Sequence, residues 1–359
     1  MKNNNKFVSV SLGLTMPLLG SEAILSYATK GEKSEVKVKN SSTFLSTYFK
    51  EKFKNCNITK ISRKIFTAIC SALAICTGLR YIANSFLFPG SDCSLDADTS
   101  LSEEFFISKP IKVGDLRGRD FKLKNPASKD LRGKCVLLFS PNAASSVDIA
   151  LDFKDIPSLY ELLNRGATLI AVDYRGYGNS APISRLKISE KTVYEDGEKI
   201  YDYARQYYKS EDIILFAHSL GGAVSSHVLA YASNKGENLR GIILASPINN
   251  LYSAAQAFTC KPLGALAWAV STSELDTEKN LSMVKNKSIP IFLCSGDSED
   301  VLSLERTKLH KKVIDQGFKN VTVNISKNCD HCDLERMFCE NGNIGYENFD
   351  SYINKLGKN

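Results

Sequence analysis

The sequence predicts one doubly wound, mostly parallel α/β domain that follows a basic N-terminal segment and one hydrophobic helix. Two observations lead to this prediction. From residue 110 onward, short apolar runs rich in β-branched residues alternate with stretches that have helical spacing. This alternation is typical of a parallel sheet with helices on both faces. The length of 359 residues and the apolar content of 43% are those of a globular chain with a sizeable core.

Six runs are predicted to form the strands, and most of them are apolar without interruption, as in strands buried on both faces. These runs are residues 135–139, 168–172, 213–217, 242–245, 289–294 and 321–325. Five stretches are predicted to be helices, at about residues 155–165, 190–209, 220–234, 303–317 and 346–357. Sheets of this type carry their chemistry in the loops just beyond the carboxyl ends of the strands.

The positive charge of the chain is concentrated in its N-terminal quarter. Residues 1–88 hold 13 Lys or Arg and 4 Glu, whereas residues 89–359 hold 33 Lys or Arg and 35 Asp or Glu. A nearly neutral main domain argues against a nucleic-acid groove, so no nucleic-acid partner is expected. We divide the chain into a basic, flexible segment at 1–64, a hydrophobic helix at 65–88 and the α/β domain at 89–359.

The hydrophobic helix at residues 65–88 is an expected membrane anchor. Its first 15 residues are too few to cross a bilayer, which needs about 20, but the stretch through residue 88 has 24. Basic residues precede it and aspartates follow it, which would place the N-terminus in the cytoplasm if the helix spans. The alternative is an amphipathic helix that packs on the main domain or lies on an anionic surface. We expect membrane association through this segment, with its topology left open.

A nucleophile motif follows the third predicted strand, in the segment Ala217-His-Ser-Leu-Gly-Gly222. A serine at a strained strand-to-helix turn needs very small residues two positions before and two after it. Ala217 and Gly221 meet this requirement around Ser219, with alanine in place of the usual first glycine. The preceding apolar strand and the following apolar helix are the context that the motif demands, so Ser219 is the predicted nucleophile.

The base that activates this serine can be found by elimination among the four histidines of the chain. His218 adjoins the serine and is expected to point elsewhere, His227 lies in the following helix, and His310 lies on a lysine-rich helical surface. His331 remains, in the loop after the last strand. The order serine, acid, histidine is that of this motif, and the acid is expected in the loop after residues 289–294, where Asp297, Glu299 and Asp300 are candidates.

Together these segments resemble the α/β-hydrolase superfamily, and more narrowly its membrane-associated abhydrolase branch of acyl-thioesterases and lipid hydrolases. The resemblance covers about residues 85–355 and rests on Asp173–Ser180, Ala217–Gly222, Ala245–Pro247, the Gly296 turn and Asp330–Asp333. In that branch the acid stands three residues after the turn glycine, which implies Glu299 here, with Asp300 as the alternative if the turn is one residue longer. We interpret the turn at Asp173–Ser180 as structural.

The oxyanion hole requires two backbone N–H groups aimed at the developing negative charge. Leu220, directly after the nucleophile, is expected to supply one of them. The other is expected from the loop after residues 135–139, where the family usually has His-Gly and this sequence has Pro141-Asn142. Because proline has no N–H, Asn142 or Ala143 is the expected donor.

A cap is expected at about residues 247–288, where this fold usually inserts one. Leu263, Leu266 and Trp268 within it would line an acyl-chain pocket. A helix pair that merely covers the sheet edge would show the same apolar stripe, so both interpretations stay open.

The predicted function is therefore hydrolysis of a carboxylic ester or thioester, of a lipid or a lipidated protein, by Ser219 and His331. A small-molecule esterase or a peptidase on the same fold stays open. Acyl transfer by serine and histidine needs no metal or cofactor, so none is expected. Cys329, His331, Cys332 and Cys339 could be imagined as zinc ligands, but they lack a second close pair of ligands. The rival hypothesis is an inactive, membrane-tethered binding or scaffold protein on a hydrolase fold, which the Pro141-Asn142 loop and the displaced acid would favour.

Overall fold

The computed structural model describes residues 23–29, 32–38, 60–90, 106–152, 155–184, 186–258, 273–297, 309–338 and 347–358. The chain divides into two compact units, Met1–Leu73 and Ala74–Asn359. In the first unit, strands β1 (Ala23–Thr29) and β2 (Glu32–Val38) pair antiparallel with Ala23 opposite Val38. Helix α1 (Lys60–Leu87) follows them.

The second unit contains an eight-stranded mixed sheet. Its strands are β3 (Phe106–Val113), β4 (Leu116–Leu123), β5 (Cys135–Phe139), β6 (Thr168–Val172), β7 (Ile213–His218), β8 (Gly241–Ala245), β9 (Pro290–Gly296) and β10 (Asn320–Ser326). They lie in the order β10-β9-β8-β7-β5-β6-β4-β3. The six strands from β10 to β6 run parallel, and β4 and β3 continue the sheet antiparallel.

Helices follow the parallel strands, and all but the last of them connect one strand to the next. They are α2 (Ser146–Leu151), α3 (Pro157–Asn164), α4 (Glu190–Ala204), α5 (Leu220–Asn234), α6 (Leu251–Phe258), α7 (Thr277–Ser282), α8 (Leu309–Asp315) and α9 (Glu347–Gly357). Crossover helices are needed because a parallel strand can begin only after the chain has returned to the other edge of the sheet. The carboxyl ends of the parallel strands β5 to β10 therefore meet at one edge of the sheet.

The core has two layers, one on each face of the sheet. Along β7, Ile213, Leu215 and Ala217 belong to one buried cluster, whereas Ile214 and Phe216 belong to the other. Every residue of β5, β6, β7 and β8 is buried. This double burial is the physical reason why these strands are apolar without interruption.

The predicted fold class is confirmed, and the structure adds elements that the sequence did not predict. Strands β3 and β4 are half-exposed and rich in charged residues, and the β1–β2 pair lies inside the segment expected to be flexible. Helix α1 ends against the α/β domain, where Phe88 is fully buried in the core and Asn84 Nδ2 donates to the Ile188 carbonyl at 2.9 Å.

No helix in the described ranges is apolar over enough residues to cross a membrane. The transmembrane span suggested for residues 65–88 is therefore not supported.

Candidate active site

Ser219 stands at a sharp turn between β7 and α5. Its φ of 53° and ψ of −113° lie outside the ordinary regions for a residue with a side chain, as at the strained turn that the motif requires. The Ser219 N–H donates to the Ala245 carbonyl at 3.0 Å, and the Ser219 carbonyl accepts from the Ile248 N–H at 3.2 Å. These bonds tie the turn to the end of β8 and hold the hydroxyl at the carboxyl edge of the sheet.

The two glycines after Leu220 allow this turn to pack closely. A Cβ at Gly221 would lie 2.1 Å from the Phe139 carbonyl oxygen, and one at Gly222 would lie 2.5 Å from Pro247 Cβ. Real Cβ atoms do not approach other atoms so closely, so any larger residue would push α5 away from the loops after β5 and β8. The first turn of α5 therefore lies directly against the end of β5.

His331 lies in the loop after β10, with its Nε2 2.9 Å from Ser219 Oγ. The serine hydroxyl can donate to the imidazole at this distance, which is the arrangement that a general base needs. A turn fixes the loop on either side of the histidine, since Asp330 Oδ1 accepts from the N–H groups of Cys332 at 2.8 Å and Asp333 at 3.1 Å. The two side chains that the sequence selected are thus in hydrogen-bonding contact.

His218 has a position that the sequence did not reveal. It is 7% exposed, and its Nε2 donates to the backbone carbonyl of His331 at 2.9 Å. The two imidazole rings have centroids 5.3 Å apart. His218 thus fixes the backbone of His331, the histidine that contacts Ser219.

The two acid candidates, Glu299 and Asp300, lie outside the described residues. The structure does describe the start of their turn, beside the loop that carries His331. A Cβ at Gly296 would lie 1.9 Å from the Cys329 carbonyl oxygen, and Asp297 Oδ1 accepts from the Asn328 N–H at 2.6 Å. Asp297, the third carboxylate among the acid candidates, therefore links the end of β9 to the loop that carries His331.

The residues whose backbone N–H groups are expected to form the oxyanion hole lie in two neighbouring segments. Leu220 is the first residue of α5, so its N–H is free of intrahelical bonding. Asn142 and Ala143 lie in the turn between β5 and α2, and neither has a positive φ. This turn therefore does not require the glycine that the family usually has there.

Asp173 anchors the far end of the same loop. Its Oδ1 accepts from Ser145 Oγ at 2.9 Å and from the Ser146 N–H at 2.7 Å. Burial raises the pKa of Asp173 to about 6, although the hydrogen bonds from Ser145 and Ser146 act in the opposite direction. The β6 loop thus holds the start of α2 through a buried carboxyl group.

The residues proposed to contact substrate, Leu263, Leu266 and Trp268, lie outside the described residues. Within the expected cap, the structure describes helices α6 and α7. In α6, Leu251 and Ala254 are buried and Tyr252 is exposed. Within the described ranges, no cluster of three or more His, Cys, Asp or Glu could hold a metal ion. Cys339 falls outside those ranges.

A family model described as serine aminopeptidase, S33, matches residues 157–289. The matched region contains the Ser219 turn. It ends before the turn with the acid candidates and before the loop with His331.

Curated relatives match about half of the chain. The multifunctional-autoprocessing repeats-in-toxin of Vibrio vulnificus is 31% identical over 198 residues, which is 53% of this chain and 4% of the toxin. Lysophosphatidylserine lipase ABHD12 of Danio rerio is 23% identical over 177 residues, 46% of this chain and 44% of the lipase. Protein ABHD12B of Homo sapiens is 24% identical over 166 residues, 44% of this chain and 45% of that protein. The matches span less than half the length of each relative.

Solved structures agree in fold. An α/β hydrolase from Vibrio vulnificus has a TM-score of 0.54 and 24% identity over 68% of this chain and 81% of that chain. An esterase/lipase from an uncultured bacterium has a TM-score of 0.50 and 17% identity over 79% of this chain and 96% of that chain. At these identities the likeness establishes the shared fold alone.

Proposed function

We propose that this chain, which belongs to the α/β-hydrolase superfamily, is a serine hydrolase that cleaves carboxylic esters or thioesters. The observation that carries the proposal is the 2.9 Å hydrogen bond between Ser219 Oγ and His331 Nε2 at the strained turn after β7. A serine hydroxyl is a weak nucleophile at neutral pH, and an imidazole in contact with it supplies the missing base. The match to the S33 serine aminopeptidase model over residues 157–289 supports the same assignment.

The mechanism that follows is acyl transfer through Ser219. His331 Nε2 removes the hydroxyl proton as Oγ attacks the carbonyl carbon, and the N–H groups of Leu220 and of Asn142 or Ala143 stabilise the oxyanion. His331 then protonates the leaving alcohol or thiol, which leaves an acyl group on Ser219. Water, deprotonated by His331, releases the acid and restores the serine, while Glu299 or Asp300 orients the imidazole.

The substrate class that we propose is an acyl ester or thioester carried by a lipid or by a lipidated protein. Support comes from the similarity to abhydrolases, one of which is named a lysophosphatidylserine lipase. The apolar cap residues Leu263, Leu266 and Trp268 would supply the surface for an acyl chain. No cofactor takes part in this chemistry.

Covalent labelling by a fluorophosphonate probe tests this function directly. The probe reacts only with an activated serine, so we expect the wild-type protein to be labelled and Ser219→Ala to remain unlabelled. Ser225→Ala is a matched control. Ser225 is a buried serine in α5, the helix that begins directly after Ser219, and its Oγ donates to the Gly222 carbonyl. A folded wild-type protein that stays unlabelled would exclude the hydrolase and favour the binding or scaffold protein.

A membrane-bound location is part of the same proposal and is carried by the exposed apolar residues of α1. Ile75 and Ile82 lie seven residues apart, on one helix face, and are 63% and 54% exposed. The basic residues that precede this helix in sequence would add attraction to an anionic lipid surface. An enzyme held in this way would meet acyl chains at the membrane surface.

Substitution of Ile75 by aspartate should weaken vesicle binding about tenfold or more, because an apolar side chain that enters lipid is replaced by a charge. The measurement is cosedimentation of the full chain with phosphatidylglycerol–phosphatidylcholine vesicles. Ile314→Asp on α8 is the matched control, since Ile314 is 51% exposed outside the proposed anchor. Equal binding by the wild type and Ile75→Asp would show that this helix face is not the anchor.

A further inference from the structure

Tyr177 is held rigidly in the turn after β6. Its side chain is fully buried and packs edge-on against Tyr174, with ring centroids 5.6 Å apart. The glycines on either side of it, Gly176 and Gly178, have φ values of 82° and 48°, which residues with side chains rarely adopt. Backbone bonds close the turn, from the Tyr177 N–H to Tyr174 and from the Ser180 N–H to Tyr177. A rigid scaffold of this kind places one polar atom, the hydroxyl, in a defined position.

That hydroxyl bonds to the loop that is expected to supply the second oxyanion donor. Tyr177 Oη donates to the backbone carbonyl of Asn142 at 2.9 Å. A trans peptide unit is planar, and its carbonyl and N–H groups point in opposite directions. Since the Asn142 carbonyl points to Tyr177, the N–H of Ala143 in the same unit points away from Tyr177.

The order of the strands shows which turn lies on the opposite side of this loop from Tyr177. Strand β5 lies between β6 and β7 in the sheet, so the loop that follows β5 has the β6 turn on one side and the β7 turn on the other. Tyr177 belongs to the β6 turn, and Ser219 with Leu220 belongs to the β7 turn. The Phe139 carbonyl oxygen, at the end of β5, packs directly on Gly221. A peptide whose carbonyl faces the β6 side therefore presents its N–H to the side of the nucleophile.

We propose that Tyr177 is a positioning residue that orients the Asn142–Ala143 peptide so that the Ala143 N–H, and not that of Asn142, completes the oxyanion hole. The assignment rests on the proposed function and refines it. The family usually has His-Gly in this loop, and here the hydrogen bond from the tyrosine hydroxyl fixes the loop instead. This bond to the carbonyl selects one orientation of the peptide. Tyr177 itself does not touch the substrate.

The test is Tyr177→Phe in the full-length protein, which removes only the hydroxyl and keeps the ring in place. With p-nitrophenyl butyrate we expect kcat to fall about tenfold, because a misaligned donor loses part of the effect of an oxyanion-hole bond. We expect KM to change less than about twofold, since the oxyanion exists only after attack. A trifluoromethyl ketone that forms a tetrahedral adduct with Ser219 should bind about tenfold more weakly.

Tyr352→Phe is the matched control. The Tyr352 hydroxyl is also buried and also donates to a backbone carbonyl, that of Ile242 at 3.0 Å, but at the amino-terminal end of β8. This variant should lose stability and keep kcat and the inhibitor affinity of the wild type. Equal kcat and inhibitor affinity in Tyr177→Phe and the wild type would overturn the positioning role while the hydrolase assignment stands. A wild-type protein without fluorophosphonate labelling would overturn both.

Discussion

Substitution of His331 by alanine should lower kcat for ester hydrolysis by about 10⁴- to 10⁶-fold, because the Ser219 hydroxyl then has no base. The residual rate would come from binding and the oxyanion donors alone. His331 is only half-buried, so its truncation should cost little stability and Tm should stay close to that of the wild type. Turnover of p-nitrophenyl butyrate, measured together with thermal unfolding, separates the two effects.

His227→Gln is the control for this experiment. His227 Nε2 bonds to Glu198 Oε1 at 2.8 Å, and its ring stacks on Tyr194 at 4.1 Å, so it is an equally well-anchored histidine outside the site. Glutamine retains a donor to Glu198, and kcat should remain near that of the wild type. A His331→Ala protein that kept wild-type turnover would exclude His331 as the base.

The change of Glu299 to glutamine should reduce kcat by about 10⁴-fold, because an amide cannot stabilise the imidazolium or hold the required tautomer. Asp300→Asn should have a much smaller effect if the turn has the length that the family resemblance implies. The two variants therefore identify which carboxylate faces the imidazole. Gly296 packs closely against the Cys329 carbonyl, which brings the start of this turn beside the loop that carries His331. This packing supports an acid from this turn.

Asp297→Asn is the matched control in the same turn. Its Oδ1 accepts from the Asn328 N–H, and an asparagine oxygen can accept the same bond, so the link between the two loops is kept. We expect nearly full activity from this variant. If neither Glu299→Gln nor Asp300→Asn lowers kcat, the triad acid does not come from this turn.

The central strands and the strained serine turn could be predicted because local patterns specify them. Strands such as β7 are buried on both faces, so their apolar runs are continuous and easily recognised. Strands β3 and β4, at the antiparallel end of the sheet, were missed because only two or three residues of each are buried and charged residues interrupt their apolar pattern. The pair of Ser219 and His331 followed from a five-residue motif and the small number of histidines.

The supporting contacts of the site left no comparable signal in the sequence. His218 bonds to the His331 carbonyl across 113 residues, Tyr177 to the Asn142 carbonyl across 35, and Asp297 to the Asn328 N–H across 31. Each of these bonds ends on a backbone atom, which every residue possesses. The identity of the partner residue therefore carries no information about the contact.

By itself, the sequence determined the fold class, the strained serine turn and the choice of His331, because burial periodicity and side-chain chemistry are properties of the residues themselves. Only the tertiary structure decided which loops flank one another at the carboxyl edge of the sheet. Strand order places the β5 loop between Tyr177 and Ser219, and that order results from long-range packing. The bond from Tyr177 to the Asn142 carbonyl in that loop depends on this arrangement, so it became visible only in three dimensions.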